Sequence, residues 1–323
     1  DYLEKAIKID PNHGGAQGNL AYLLSEFGEY EKAKSHYEKA IRINPKNYSA
    51  YNNFGTLLQT IGEYQKAREC FEKAIEINPE HIGALNNIAQ LLTSSDFQAS
   101  INASHKALKI SKEILKFTNQ SIPLFKLKHD VEQAKYLSSK NYKIEGIDQF
   151  EKTGDEILNR KENKEEAGDD KKILLNEKEI SALLPFYKSD FIYQPKKIIG
   201  SCINPDKNWQ TVEDEYLNSE KQIMYIDDFL SAEAIIELRE FCLVSKVWDR
   251  VYVNKYLGAF SNNGFISPVH LQIATDLQKK LPKLFGPHRL TKFWGFKYDT
   301  TLGSGINISS YFAIHNLNFW ITP

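Results

Sequence analysis

The N-terminal third of the chain repeats one pattern of small and large apolar positions every 34 residues. The phrases EKAIKIDP, EKAIRINP and EKAIEINP end at Pro11, Pro45 and Pro79, and Gly28 and Gly62 stand at turn positions between them. A period of this length predicts stacked helical hairpins, each ended by a proline. The recurrent packing positions are Ala6, Ala40 and Ala74; Ala33 and Ala67; Leu20, Phe54 and Ile88; Tyr37 and Phe71; and Tyr30 and Tyr64, which are expected to lie beneath the turns.

These residues resemble the tetratricopeptide repeat family. The segment AYNNFGTLLQTIGEYQKARECFEKAIEINP is close to a consensus unit, and the resemblance covers full repeats at about 14–47 and 48–81. The tail of an earlier copy precedes them, and a degraded copy follows, in which DFQASINASHKALKI is one residue shorter. The resemblance implies an α-helical solenoid over residues 1–110, a right-handed superhelix whose concave face is lined by the first helix of each hairpin.

Asparagines recur on these predicted first helices. Asn19, Asn53 and Asn87 follow the period, and Asn52 and Asn86 precede two of them. An amide side chain both donates and accepts hydrogen bonds, so a row of them could bind an extended peptide backbone without reading its sequence. The alternative is that these side chains cap turns or face water. The sequence therefore predicts a protein or peptide partner in the repeat groove and leaves the alternative open.

Residues 111–180 are predicted to form a helical cap and a charged linker. Apolar residues at helical spacing indicate one or two amphipathic helices interrupted by Pro123, and His129 and Asp130 are expected on the polar surface of the second helix. The stretch from Glu151 to Glu179 is rich in Glu, Lys and Asp, which indicates a solvated helix or flexible linker. The apolar positions are Leu115, Leu124, Leu127, Val131, Ala134 and Leu137.

Residues 181–323 have a different composition, with all four tryptophans and many other aromatic residues. The alternating runs QIMYIDDF, FWGFKYDT and NLNFWITP predict strands. SAEAIIELREFCL predicts a helix with Ser231 as its N-cap, and HLQIATDLQKKLP a second helix that stops at Pro282. This mixture favours a β-rich domain, a sandwich or barrel braced by helices. The fold class expected for the whole chain is multidomain α + β.

A second resemblance concerns about Gln222 to Pro323. The segments YIDDFLSAEAIIELREFC, GFISPVHLQIATDLQKKLP, WGFKYD and NFWITP look like bacterial proteins that join tetratricopeptide repeats to a 2-oxoglutarate- and iron(II)-dependent dioxygenase domain of the prolyl-hydroxylase type. That resemblance implies a double-stranded β-helix (jelly roll), here C-terminally incomplete. In the family, a His-x-Asp pair before the FWITP strand and a later His bind iron, and a basic residue binds 2-oxoglutarate.

The positions expected for that His-x-Asp pair carry Ser309 and Tyr311 in this chain. A serine hydroxyl and a phenol do not reproduce a neutral imidazole and a carboxylate as ligands of iron(II). His315 is an even number of residues away from both positions, so on a strand its side chain would lie on the same face. It is a remote candidate for a substitute iron ligand. The sequence therefore predicts no catalytic residue, no metal ligand and no cofactor as given, with iron(II) and 2-oxoglutarate only if a longer protein completes the site.

Charge and cysteine content narrow the function further. The net charge of −1 gives no global attraction to nucleic acid or to an anionic membrane, and neither is expected as a partner. No apolar run is long enough to span a bilayer and no signal peptide opens the chain. Cys70, Cys202 and Cys242 form no CxxC pair, which favours reduced thiols in a cytoplasmic protein.

The start at Asp1 within a repeat and the apolar end at Pro323 suggest a fragment.

Three hypotheses follow. The first is a peptide-binding repeat module joined to a dioxygenase-like domain that has lost its iron ligands and does not catalyse. The second is a 2-oxoglutarate-dependent hydroxylase whose repeats present a protein substrate. The third is a truncated chain that folds only in its repeats. Because function must be argued from the site and not from the fold, the substitutions at 309 and 311 favour the first hypothesis.

Overall fold

The chain divides into two compact units, residues 1–110 and 111–323. The computed structural model describes residues 2–93, 95–115, 120–160, 171–220, 224–252, 256–290 and 292–298.

The first unit consists of helices arranged as hairpins. The two full hairpins pair α2 with α3 and α4 with α5, and α6 packs against both α4 and α5. The helices are α1 (Tyr2–Ile9), α2 (Gly14–Glu26), α3 (Tyr30–Ile43), α4 (Tyr48–Thr60), α5 (Tyr64–Ile77), α6 (Ile82–Leu92) and α7 (Phe97–Glu113), whose residues after 110 belong to the second unit.

Small residues allow these helices to approach closely, as the repeat pattern predicts. Ala33, Ala40, Ala67 and Ala74 are all fully enclosed. Large residues fill the space between hairpins: Tyr37 and Phe71 are buried, Phe54 and Ile88 are nearly so, and the ring of Tyr37 stacks on that of Phe54 at 5.6 Å. The expectation that Tyr30 and Tyr64 pack beneath the turns is wrong in part, because their side chains lie at the helix starts and are 39% and 45% exposed.

The hairpin ends are fixed by backbone geometry that also follows the period. Gly28 and Gly62 have φ of 77° and 84°, a left-handed conformation that glycine adopts without the strain of a side chain. At the helix starts, His13, Asn47 and His81 each accept a hydrogen bond from the backbone N–H three residues later, at 3.0–3.1 Å. These N-caps were not predicted from the sequence, although all three polar side chains stand one period apart.

In the degraded fourth copy, the packing residues are present but occur one residue earlier than the 34-residue period predicts. Ser100 and Ala107 lie 33 residues after Ala67 and Ala74, and both are fully buried. The Ser100 hydroxyl donates to the carbonyl oxygen of Ala89 at 2.6 Å, which satisfies its buried polar group. The one-residue deletion therefore preserves the contact between α6 and α7.

The second unit contains short strands and eight further elements of helix or turn in its described residues. Its strands are β1 (Ser121–Pro123), β2 (Lys172–Leu174), β3 (Arg250–Tyr252), β4 (Tyr256–Phe260) and β5 (Trp294–Tyr298). Its helices are α8 (Leu124–Ser139), α9 (Ile147–Leu158), α10 (Glu177–Lys188), α11 (Trp209–Asn218), α12 (Ala232–Val244), α13 (Pro268–Lys280) and α14 (Pro282–Phe285), with a 3-10 turn at Ser261–Asn263.

One core of this unit forms among α8, α9 and α10. The rings of Phe150 and Phe186 stack at 4.1 Å and both are buried. Of the two alternatives predicted for the charged stretch that begins at Glu151, its first turns are helical and not a flexible linker, since they lie in α9; this helix is not fully solvated, because its Ile157 is enclosed. Leu183 and Phe186 join Leu127 and Phe150 in the same cluster, so the core draws on both sides of residue 180.

A second core forms among α11, α12 and α13, and buried carboxylates hold its loops. Glu213 accepts the backbone N–H groups of Lys283 and Leu284 at 2.7 and 3.1 Å, at the start of α14. Asp276 accepts the backbone N–H of Cys202 at 2.7 Å. Ser231 caps α12 as predicted, with its hydroxyl oxygen 3.3 Å from the N–H of Ala234.

The described β structure near the C-terminus is one antiparallel sheet in the order β3-β4-β5. The strand predicted in FWGFKYDT is present as β5, whose Lys297 lies opposite Leu257 of β4. The strand predicted in QIMYIDDF is not formed over residues 224–229. Across the described part of residues 181–298, helices dominate and no double-stranded β-helix is present, so the jelly roll stays a prediction that would depend on residues outside that part.

Candidate functional site

The two helices of each hairpin differ in how many charged side chains they carry. The first helices α2, α4 and α6 carry a single charged side chain between them, Glu26, at the last residue of α2. The second helices α3 and α5 carry six charged side chains each in 14 residues. Several of these pair with each other, as Arg68 does with Glu72 at 2.7 Å. A surface made by the first helices is therefore polar but almost uncharged.

Three of the predicted asparagines meet between neighbouring first helices. The Nδ2 atom of Asn87, on α6, donates to Oδ1 of Asn52 at 3.0 Å and to Oγ1 of Thr56 at 3.3 Å, both on α4. Asn52 in turn donates through Nδ2 to Oδ1 of Asn53 at 3.2 Å. The four side chains Asn52, Asn53, Thr56 and Asn87 form one hydrogen-bonded row, termed here the amide row.

The amide row keeps hydrogen-bonding capacity at both ends. Each amide offers two N–H donors and an oxygen with two lone pairs. Among the described residues, no partner is seen for the Nδ2 donor of Asn53 or for the Oδ1 acceptor of Asn87, and both side chains are only half-buried. The row can therefore offer a donor and an acceptor to a further polar group.

The other two predicted asparagines do not join the amide row. Asn19 lies on α2 at the offset of Asn53 and is exposed, and Gly18 stands beside it where the next repeat has Asn52. Asn86 is half-buried, and its Oδ1 atom is enclosed with no partner among the described residues. The 34-residue period thus places all five residues on first helices, but the contacts bring only three of them together.

The positions considered for iron lie outside the described residues. Ser309, Tyr311 and His315 all fall after residue 298, so their geometry does not enter the site. Among the residues that the structure does describe, no three histidine, cysteine or carboxylate side chains are grouped so that they could hold a metal ion. The donor chemistry of a hydroxyl and a phenol still does not fit an iron(II) site.

The pair His129–Asp130 is not on the surface, contrary to the sequence prediction. Asp130 is 2% exposed, and its carboxylate receives hydrogen bonds from Lys126 and from the Tyr187 hydroxyl, the latter at 2.7 Å. The Nδ1 atom of His129 lies 2.9 Å from Asp130. The prediction failed because α10 and α12 cover the side of α8 that the sequence pattern assigns to solvent, and these helices are remote in sequence.

The three cysteines are free thiols. Burial raises the pKa of Cys70 to about 11 and those of Cys202 and Cys242 to about 12. Since the thiolate is the reactive form of cysteine, none of them is primed as a nucleophile. Within the described ranges, no helix has the length and apolar character needed to cross a bilayer.

Comparison with solved structures gives resemblances at low identity. The structure of MamA is 18% identical with a TM-score of 0.33, covering 48% of this chain and 83% of that one. A mutant of Thermobaculum terrenum O-GlcNAc transferase is 18% identical with a TM-score of 0.34, covering 41% of this chain and 30% of that one. A MamA RS-1 ArsTM double mutant is 17% identical with a TM-score of 0.32, covering 48% and 76%. At these values the likeness carries no information on function.

No curated protein sequence matches the chain. Two family descriptions do match it, both of the tetratricopeptide repeat, at residues 16–47 and 36–69. The matched residues lie within the hairpins α2–α3 and α4–α5 and include the enclosed Ala33, Ala40 and Ala67 and the left-handed glycines at both turns. Residues 16–69 of this chain are therefore tetratricopeptide repeats.

Proposed function

We propose that the repeat unit binds an extended polypeptide segment of low net charge on the surface of its first helices, with the amide row at its centre. The observation that carries the proposal is the contact of Asn87 with Asn52 and Thr56, because it aligns amide groups across two successive hairpins. A peptide group presents one donor and one acceptor, which complement the groups left open at Asn53 and Asn87.

The charge distribution supports this choice of partner. A partner rich in Lys, Arg, Asp or Glu would have to desolvate those charges against a surface that holds only Glu26, and unpaired buried charge is costly. A neutral segment incurs no such cost and can bind through its backbone. Binding should then depend little on ionic strength, because few charges face each other across the interface.

The test is a binding screen of the whole chain against an array of short random peptides that spans net charges of both signs. We expect the bound peptides to cluster near zero net charge and to bind equally well in low and high salt. The substitution Asn87→Ala should weaken binding about tenfold, the effect of losing one to two hydrogen bonds at a largely desolvated contact.

The matched control is Asn102→Ala, the same chemical change at an exposed asparagine on α7. It should leave peptide binding unchanged. Bound peptides that share one sign of charge, or equal losses from Asn87→Ala and Asn102→Ala, would show that the amide row is not the binding surface. Circular dichroism of each variant separates lost binding from lost folding.

The second function considered, a 2-oxoglutarate-dependent hydroxylase, is supported only by the sequence resemblance of the C-terminal segment. The amide row would then serve to present its protein substrate. Ferrous ion with 2-oxoglutarate should raise the melting temperature of a chain that binds them. An unchanged melting temperature that rises after Ser309→His with Tyr311→Asp would mark a lost iron site.

A further inference from the structure

The first helices of the three hairpins begin with N-caps of two chemical kinds. Asn47 caps α4, whereas His13 and His81, one period before and one period after it, cap α2 and α6. Each of the three side chains accepts the backbone N–H of the alanine three residues later, at 3.0–3.1 Å. The geometry of the cap is therefore the same in the three repeats, and only the group that accepts the hydrogen bond differs.

A histidine can accept this hydrogen bond only through an unprotonated ring nitrogen. The acceptor is the Nδ1 atom at both positions, 3.0 Å from the backbone nitrogen of Ala16 and 3.1 Å from that of Ala84. One ring nitrogen of a neutral imidazole accepts, but both nitrogens of the charged ring carry protons. The partial positive charge of a helix N-terminus would also repel a charged ring. Protonation would thus remove the cap at His13 and His81, while the amide of Asn47 does not titrate.

Glycine two residues after each histidine leaves room for its ring. A Cβ atom at Gly15 would lie 3.3 Å from Cε1 of His13, and one at Gly83 would lie 3.2 Å from Cε1 of His81. The middle repeat has Ser49 at this position. Each histidine ring therefore lies over the first turn of its helix. Because glycine has a low helix propensity, that turn depends strongly on its cap.

The surroundings of His81 favour the neutral ring. The ring lies beside that of Tyr48 on α4, with centres 4.9 Å apart, and on α5 the side chains of Lys73 and Glu76 pair with each other at 2.9 Å. The other titratable side chains toward this end of α6 are Tyr51 on α4, His105, Lys106 and Lys109 on α7, and Glu80 before the helix. Burial lowers the pKa of His81, and no charged group among the described residues contributes to that shift. The form that caps α6 is therefore the form that the fold stabilises.

We propose that the start of α6 is a pH-sensitive switch, in which His81 holds the first turn while its ring is neutral and loses that hold when the ring gains a proton. Ala84 is fully buried, so protonation would leave its N–H enclosed without an acceptor unless the turn opens toward water. Asn87 lies on the same helix, so acid would loosen the helix that provides one end of the amide row. The switch does not depend on peptide binding.

The pH range of the switch follows from the direction of the pKa shift. The pKa of His81 in the folded chain lies below its ordinary value of 6.5, so the cap is present at pH 7 and is lost as the pH falls through a value below 6.5. The unfolded chain gains the proton first, so the repeat unit loses stability over the same range. His13 makes the same hydrogen bond at α2, but Asp10 lies three residues before it, and His81 is therefore the position to test.

The experiment is a pH titration of the whole chain with labelled alanine, from about pH 7.5 to about pH 4.5, followed by the amide signals of Ala84 and Ala50 in two-dimensional NMR. We expect the Ala84 signal to move with a midpoint below 6.5 and the Ala50 signal to stay in place. The ratio of their amide exchange rates removes the intrinsic effect of pH. This ratio of Ala84 to Ala50 should rise about fivefold on acidification, the effect of losing one N-cap.

Two variants provide the controls. His81→Asn replaces the histidine with the residue that caps α4, so Ala84 should remain capped and its signal should no longer titrate. His13→Asn, the same change at the start of α2, should leave the titration of Ala84 unaltered. A constant Ala84 signal in the unaltered chain, a midpoint above 6.5, an Ala50 signal that moves with it, or a titration that persists in His81→Asn would overturn the proposal.

Discussion

The two units of this molecule differ in the kind of polar side chain that they bury. In the repeat unit, the buried polar side chains of the described residues are all neutral: Gln17, Thr93, Ser100 and Ser104. Among the described residues of the C-terminal unit, five charged side chains are buried: Lys112, Asp130, Glu213, Lys246 and Asp276. The repeat unit keeps its charges on its second helices, whereas the C-terminal unit takes some of its charges into its interior.

This difference reflects the sequence distance over which each unit is held together. Within a repeat, one helix packs on the next, so apolar shape at fixed offsets is enough to specify the fold. In the C-terminal unit, polar contacts join remote segments: Gln133 donates to the carbonyl of Leu243, 110 residues later, and Glu213 caps a helix 70 residues later. Buried polar contacts are demanding, because a missing partner costs more than a good one contributes.

The largest change in stability is expected when one buried charge is removed from the C-terminal unit. Asp130→Ala leaves the Lys126 ammonium and the Tyr187 hydroxyl enclosed without their partner, and we expect the free energy of unfolding of the C-terminal unit to fall by about 3–5 kcal/mol. Urea denaturation followed by tryptophan fluorescence measures this loss, since all four tryptophans are in that unit.

Asp155→Ala is the matched control, because Asp155 pairs with Lys135 at 2.7 Å with both side chains about half exposed. An exposed pair contributes little, and we expect a change of about 1 kcal/mol or less. If both substitutions cost the same, burial of charge does not distinguish this unit.

In the repeat unit, we expect stability to depend most on the close packing of helices, and not on buried charge. A Cβ atom at Gly55, on α4, would lie 2.6 Å from the Phe71 ring on α5, so Gly55→Ala should lower the free energy of unfolding by up to about 3 kcal/mol. Gly18→Ala, where the new Cβ would meet only Ala40 at an ordinary 3.8 Å, should be neutral or stabilising. Circular dichroism at a helix wavelength follows both. Equal effects would mean that the close approach of the two helices is not needed.

The smallest effect concerns pH. Burial lowers the pKa of His129 to about 4 in the folded chain, against 6.5 when the side chain is exposed. Between these two values, His129 is protonated in the unfolded chain but not in the folded one. Stability should therefore fall as the pH decreases from about 6.5 toward 4, by about 2 kcal/mol at pH 5. Urea unfolding at pH 7 and pH 5 measures it, and His129→Gln should flatten the dependence. Stability that stays constant or rises in this window would contradict the assignment.

The fold of the repeat unit was largely predictable from sequence, and that of the C-terminal unit only in part. The period placed the enclosed alanines, the turn glycines and the asparagines of the amide row on their helices. The N-caps His13, Asn47 and His81 were missed, although they stand one period apart. In the C-terminal unit, local signals located α12 and α13, including Ser231 and Pro282, but not the contacts that enclose Asp130.

The sequence by itself therefore determined the order of the repeat helices, which of them are charged and which residues share a repeat position. Those properties depend on neighbours within a few residues or one period. The tertiary structure decided which side chains meet: that Asn87 bonds Asn52 and Thr56, and that Asp130 is enclosed and bonded by the Tyr187 hydroxyl. A hydrogen bond requires two groups within about 3 Å, and a spacing of 31 to 57 residues along the chain does not encode that proximity.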